Sequence, residues 1–220
     1  MITQDKAYKT IISAYFNGRG YFTTIDQKLL GTDHVADVVA VLPIFRELQM
    51  RTQIGYAPCG VMKYMPGDEW ATFEELSERS GYSVDFVGSV MKDAYERGWI
   101  ALEVNDGVPR CKNLRYHKSC REMIAAFYGV ENFQKKIDML EDYKGVFNQV
   151  YFIFNYPIDD ETRQLLASKG YGYIHYYEKH GAFLEMLPAD VEDVDDWPRF
   201  SVLSEHVLFE NMWYRKDEIV

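Results

Sequence analysis

The stretch Trp70–Asn113 constrains this chain most, because its helix, break, strand and turn signals follow one another in a tight order. Thr72-Phe73-Glu74-Glu75-Leu76 reads as the start of a short helix, which Gly81 breaks. Ser83 then caps a second helix carrying Phe86, Val87, Val90, Met91 and Ala94 on one face. Gly98 stops that helix. Trp99–Val104 runs on as a strand to the turn signal Asn105-Asp106-Gly107. Two helices, a strand and a glycine-tipped turn predict a small unit with its own core.

The order Phe73-Glu74-Glu75-Leu76, Gly81-Tyr82-Ser83, Val87–Met91 and Glu96-Arg97-Gly98-Trp99-Ile100 resembles the winged helix-turn-helix module over about residues 60–115. That module is widespread in archaeal and bacterial transcription regulators and also serves in protein docking. The resemblance implies that the second helix enters the DNA major groove and the wing touches the backbone. On that pattern Ser83, Ser89 and Lys92 are the helix residues that face DNA. Their neighbours Asp85, Asp93 and Glu96 oppose phosphate, and so does the formal net charge of -10. A basic run follows. Arg110, Lys112, Arg115, Lys118 and Arg121 come with no acid before Glu122, and this is the segment best suited to phosphate contact.

With 220 residues, 47% of them hydrophobic, the chain suits one large core or two modest domains. Cys59, Cys111 and Cys120 have neither zinc-site spacing nor disulfide-scaffold density, so free thiols in a reducing cytoplasm are expected. No signal peptide and no apolar run of transmembrane length is visible, and the expected location is cytoplasmic.

Around the central unit the signals alternate between helix and strand. Residues 4–17 read as a helix, 21–25 and 35–43 as strands, and 44–50 as either a returning strand or a short helix. Beyond the wing, 116–128 and 131–147 read as helices. Residues 150–156 then give an apolar strand, 157–170 a helix, and 171–177 and 182–187 two more strands. The whole predicts an α/β (α+β) fold with a mixed central sheet. One discontinuous domain comprises 1–56 and 116–220, with 57–115 inserted as the second domain.

That flanking order resembles the core of the restriction-endonuclease-like superfamily, whose active site carries an Asp followed by Glu-x-Lys. The matching residues are Asp37 in Ala36-Asp37-Val38-Val39-Ala40-Val41 and Glu47-Leu48-Gln49, with Gln49 at the lysine position. The resemblance implies Asp37 and Glu47 as ligands for Mg²⁺ or Mn²⁺, and Asp37, Glu47 and Gln49 as the catalytic set. A strand at 47–49 would put Glu47 and Gln49 on one face. Glutamine cannot carry charge or act as a base, so the expected host is a scaffold without catalysis. Asp26, Asp33 and His34 lie near Asp37 in sequence; His175 and His180 read as strand and turn residues.

The expected function is therefore a DNA-associated regulatory or accessory protein, with no cofactor. Its partners would be double-stranded DNA, a protein, or a second copy of the chain, and no membrane. A metal-dependent nuclease and a protein-interaction module without a nucleic-acid role are the alternatives.

Overall fold

A computed structural model describes residues 4–29, 34–50, 60–62, 64–65, 69–114, 120–129 and 133–216. It shows a mixed α+β fold around a central six-stranded sheet. The strands are β1 (Phe22–Lys28), β2 (Val35–Pro43), β6 (Cys120–Tyr128), β7 (Gln149–Phe154), β8 (Gly172–Tyr177) and β9 (Ala182–Leu187), paired in the order β1-β2-β6-β7-β8-β9. The pairs β6–β7 and β7–β8 are parallel and the other three are antiparallel.

Burial on both faces explains which strands lie in the middle. In β2 the residues Ala36–Val41 are all buried, and in β6 so are Met123–Phe127. Val39, Val41, Met123, Ala125, Phe127, Phe152 and Phe154 fill one core with the helices α5 (Phe133–Glu141), α6 (Asp160–Ser168) and α7 (Trp197–Lys216). Val38, Ala40, Ile124, Ala126, Ile153 and Ile174 face the opposite way, onto Tyr8, Ile12 and Phe16 of α1 (Gln4–Asn17). The period-two alternation of each strand thus feeds two helical layers.

The β6 strand corrects the helix expected over 116–128. Met123-Ile124-Ala125-Ala126-Phe127 is a continuous apolar run buried on both sides, and periodicity alone does not separate such a strand from a buried helix. The open alternative at 44–50 resolves as a helix, α2 (Phe45–Met50). The helix expected over 131–147 is shorter, since α5 ends at Glu141 and turns follow.

Between β2 and β6, which are neighbours in the sheet, the chain builds a second layered unit. It contains β3 (Ala71–Thr72), α3 (Phe73–Ser80), α4 (Val84–Glu96), β4 (Ile100–Asn105) and β5 (Val108–Asn113), with a three-stranded sheet in the order β3-β5-β4. Thr72 and Glu75 form a reciprocal capping box at the start of α3, and Ser83 caps α4 by accepting from the Phe86 N–H. Asp106 (φ 51°) and Gly107 (φ 80°) turn the β4–β5 hairpin, a geometry that asks for residues tolerant of positive φ. Val61, Met62, Leu76, Val87, Met91, Trp99, Ile100 and Cys111 make a core separate from the other two. Gly60 lies against α7, where a Cβ would come within 2.8 Å of Val202. The boundaries expected at 56/57 and 115/116 fall outside the described residues.

Candidate functional site

Asp37 sits near the head of β2, beside the carboxyl end of β6, and its carboxylate is the centre of a buried charge network. Lys9 from α1 reaches Oδ1 at 3.1 Å, and Lys136 from α5 reaches Oδ2 at 2.9 Å. The Tyr128 N–H also donates to Oδ2, at 2.9 Å, while the Lys136 ammonium donates a further bond to the Tyr128 carbonyl. Lys9 in turn contacts Asp26 at 2.6 Å and Asp5 at 2.9 Å. Burial disfavours the Lys9 ammonium, but hydrogen bonds to Asp26 and Asp5 and the charge of Asp37 outweigh it, so its pKa is raised above the ordinary lysine value.

Aromatic rings close the network on one side. Tyr8 stacks on Tyr128 with ring centres 4.3 Å apart and meets Tyr176 edge-on, and its hydroxyl accepts from Asn155 Nδ2. Asn155 follows β7, so the cluster gathers at the carboxyl ends of the parallel strands. That edge of an α/β sheet is where ligands bind most often.

The metal chemistry implied by the superfamily resemblance does not fit this centre. Both Asp37 oxygens are taken by ammonium groups and an amide. Glu47 lies on α2, beyond the far end of β2, and Pro43 is six positions along the strand from Asp37, about 20 Å. In a helix, residues 47 and 49 no longer share a face, and the Gln49 side chain lies outside the described residues. β2 pairs with two strands: on β6 the positions level with Asp37 are around Phe127 and carry no acid, and on β1 the acid opposite it, Asp26, is held by the same Lys9 ammonium. Among the described residues no group of three or more His, Cys, Asp or Glu side chains is arranged to hold a metal ion. Asp26 is a partner of Lys9, Asp33 lies outside the described residues, and His34 is half-buried just ahead of β2. His175 is buried in β8, bonded to the Tyr173 hydroxyl at 2.8 Å, and His180 closes a 3-10 turn, as the sequence suggested.

The residues assigned to DNA contact scatter into different settings. Ser89 and Lys92 are exposed on α4, while Ser83 is occupied with capping. Asp85 and Glu96 are exposed on the same helix, and Asp93 is held by Arg97 at 2.9 Å. Arg110 is not a free base: its guanidinium bonds Glu103 across the hairpin at 2.6 Å and lies over the Trp70 ring. Lys112 is half-buried on β5, and Arg121 is exposed at the start of β6. Arg115 and Lys118 lie outside the described residues. The hairpin instead shows apolar side chains near its tip, with Val104 71% exposed and Val108 42%.

Sequence reasoning did not single out Lys9 or Lys136. The signal for Lys9 was its place among Tyr8, Ile12 and Phe16, since a lysine inside an apolar helix face needs a buried acid. No such signal marks Lys136.

No family model matches the chain, no curated protein is similar to it, and no solved structure resembles it. No helix among the described residues is long and apolar enough to cross a membrane.

Proposed function

We propose that the chain is a non-catalytic regulatory or accessory protein. In this reading residues 60–114 are a winged helix carried by a degenerate restriction-endonuclease-like scaffold, and the unit docks a protein partner through α4 and the wing. The observation that carries the docking reading is the outward face of α4. It presents Asp85 and Glu96 against Lys92, with Phe86 41% and Tyr95 52% exposed at its flanks. Such a face repels phosphate and suits a partner that offers bases and apolar contacts. The order of β3, α3, α4 and the β4–β5 hairpin supports the winged-helix reading.

The geometry of the scaffold's centre supports reading it as non-catalytic. Asp37 is neutralised by lysines from two helices, and Glu47 is remote from it. A metal-dependent nuclease site needs carboxylate oxygens open to the metal ion. Here those oxygens hold α1 and α5 onto the sheet.

A second reading, duplex DNA, draws support from Lys92, Lys112 and Arg121, whose side chains retain some exposure. Fluorescence anisotropy with a mixed-sequence duplex at about 50 mM salt separates the two readings, since backbone binding is strongest at low salt. The docking reading expects no saturable binding, and no cleavage of plasmid or duplex with Mg²⁺ or Mn²⁺. Tight, steeply salt-dependent binding lost in Lys92→Ala and Lys112→Ala would replace it with the DNA reading. Metal-dependent cleavage abolished by Asp37→Asn would overturn the non-catalytic scaffold.

A further inference from the structure

At the amino ends of the parallel strands β7 and β8, away from the edge where Asp37 lies, the chain surrounds a cavity of about 400 Å³. That volume lies at the lower end of the range for small-molecule sites. Three segments supply its polar walls. The end of α5 and the turn after it bring Glu141 and Lys144, the end of α6 brings Lys169 and Gly170, and the segment after β9 brings Asp190 and Glu192. Phe147, Val150 and the Tyr171 ring give the cavity an apolar lining.

The segment after β9 is fixed by its main chain. The Asp190 N–H donates to the Gly170 carbonyl and the Glu192 N–H to the Asn148 carbonyl, both at 2.9 Å, and Asn148 Nδ2 returns a bond to the Glu192 carbonyl. Gly170 has φ 72° and no Cβ, and the Asp190 carboxylate takes the vacant place, with one oxygen 2.9 Å from where a Cβ would stand. Asp190 is thus held at the rim of the cavity, which lowers the cost of ordering it around a ligand.

Charge is divided unevenly between the walls. Lys169 bonds Glu141, and the Glu141 carboxyl is held below its ordinary value by that bond first and by the charge of Lys144 in addition. Two bases therefore share one acid on this wall, and Lys144 has no ion-pair partner of its own among the described residues. The facing wall carries two acids, and neither Asp190 nor Glu192 has a basic partner among the described residues. The Tyr171 hydroxyl lies between the walls: burial raises its pKa first, and the charges of Glu141 and Glu192 both add to the effect.

A net positive wall, a net negative wall and an apolar lining match a molecule with the same three parts. An anion alone leaves Asp190 and Glu192 without a partner, and an amine alone leaves Lys144 without one. We propose that this cavity binds a free amino acid with an apolar side chain, its carboxylate toward Lys144 and its ammonium toward Asp190 and Glu192. The Tyr171 hydroxyl, which donates and accepts, is placed to bond either group.

Calorimetry on the full chain with L-leucine and L-phenylalanine tests this, alongside the two halves of leucine, isoamylamine and 4-methylpentanoate. Saturable binding of at least one amino acid is expected at about millimolar Kd or tighter, with each half about tenfold weaker. In nuclear magnetic resonance spectra of the unaltered protein, the amides of Gly170, Tyr171 and Glu192 should shift while those of β2 stay in place. Asp190→Asn and Lys144→Gln, both at exposed positions, should each weaken binding about fivefold or more and leave the melting temperature unchanged. The absence of saturable heat and of amide shifts at about 10 mM of either amino acid overturns the proposal. So does undiminished binding by a folded Asp190→Asn variant. Either half bound as tightly as leucine also overturns it, since the site would then read only one charge. The α4 surface takes no part, so these results leave the docking reading untouched.

Discussion

Asp26 stands opposite Asp37 across the β1–β2 ladder, between the pairs Ile25–Val38 and Gln27–Ala36, and the Lys9 ammonium bridges the two carboxylates. Like charges directly opposite each other destabilise a sheet, so this pairing depends on the helix that brings the lysine.

Lys9→Met should therefore leave Asp37 facing Asp26 with Lys136 as its one counter-charge, and unfolding free energy should fall by about 1–3 kcal/mol. Adding Asp37→Asn should recover part of that loss, because the opposition of the Asp26 and Asp37 charges disappears with it, while Lys136 keeps its bond to the Tyr128 carbonyl. Urea unfolding of the single and double variants checks the coupling; additive losses would disconnect the two residues.

Alkali should unfold the protein over a defined range. The Lys9 pKa is raised, burial first and nearby carboxylates second push Tyr171 and Tyr151 up to about 12, and burial alone does the same to Cys111. A group whose folded pKa is raised binds its proton more tightly in the native state. Its contribution is fully present below the unfolded value, at about 9 for Cys and 10 for Tyr, and is lost as pH rises through the folded value. Melting temperature should thus hold from neutrality to about pH 9 and fall steeply toward pH 12. Absorbance from the buried tyrosinates, Tyr151 and Tyr171 among them, should rise together with unfolding, not ahead of it.

Gly172 allows β7 and β8 to approach. A Cβ there would overlap the Tyr151 ring and lie 2.8 Å from the Ala189 nitrogen. Gly172→Ala should cost about 1–3 kcal/mol through overpacking, and thermal denaturation reads it. Gly88→Ala, on α4, meets only ordinary contacts with Phe73 at 3.5 Å and should be neutral or stabilising.

The inserted unit should respond by itself to loss of its first cap. Thr72→Ala removes the half of the box in which the Thr72 hydroxyl accepts from the Glu75 N–H, worth about 1 kcal/mol, and leaves the backbone N–H of residue 72 donating to the Glu75 carboxylate. Amide exchange should speed up in 73–80 and remain unchanged in β6 and β7, because Leu76 belongs to a core apart from theirs.

What was legible in the sequence follows from which signals are local. Val35–Pro43 stood out as a strand, as did 182–187, because β-branched or apolar residues end at clear turns. The N-terminal helix was legible over 4–17 from its apolar spacing and closing glycines. The β6 strand was not, since its alternation is erased by burial on two faces. The candidate site was the least legible part. Asp37 was found, but the residues that decide its role are Lys9 and Lys136, which lie 28 positions before it and 99 after it. Glu47 looked like its partner only while 44–50 was read as a strand.

The placement of the insertion bears on how the chain reaches its native state. Strands β2 and β6 are neighbours, yet the chain from Pro43 to Cys120 separates them, so their ladder closes one of the longest loops in the molecule. Loop closure costs entropy in proportion to the logarithm of the flexible length. A unit that condenses first, with its hairpin and capped helices drawing on local contacts, shortens that flexible length before the ladder forms. Weakening the small core should then slow assembly of the large sheet, even where the two share no side-chain contact. The unit between β2 and β6 is thereby expected to act on the folding rate as a kinetic splint.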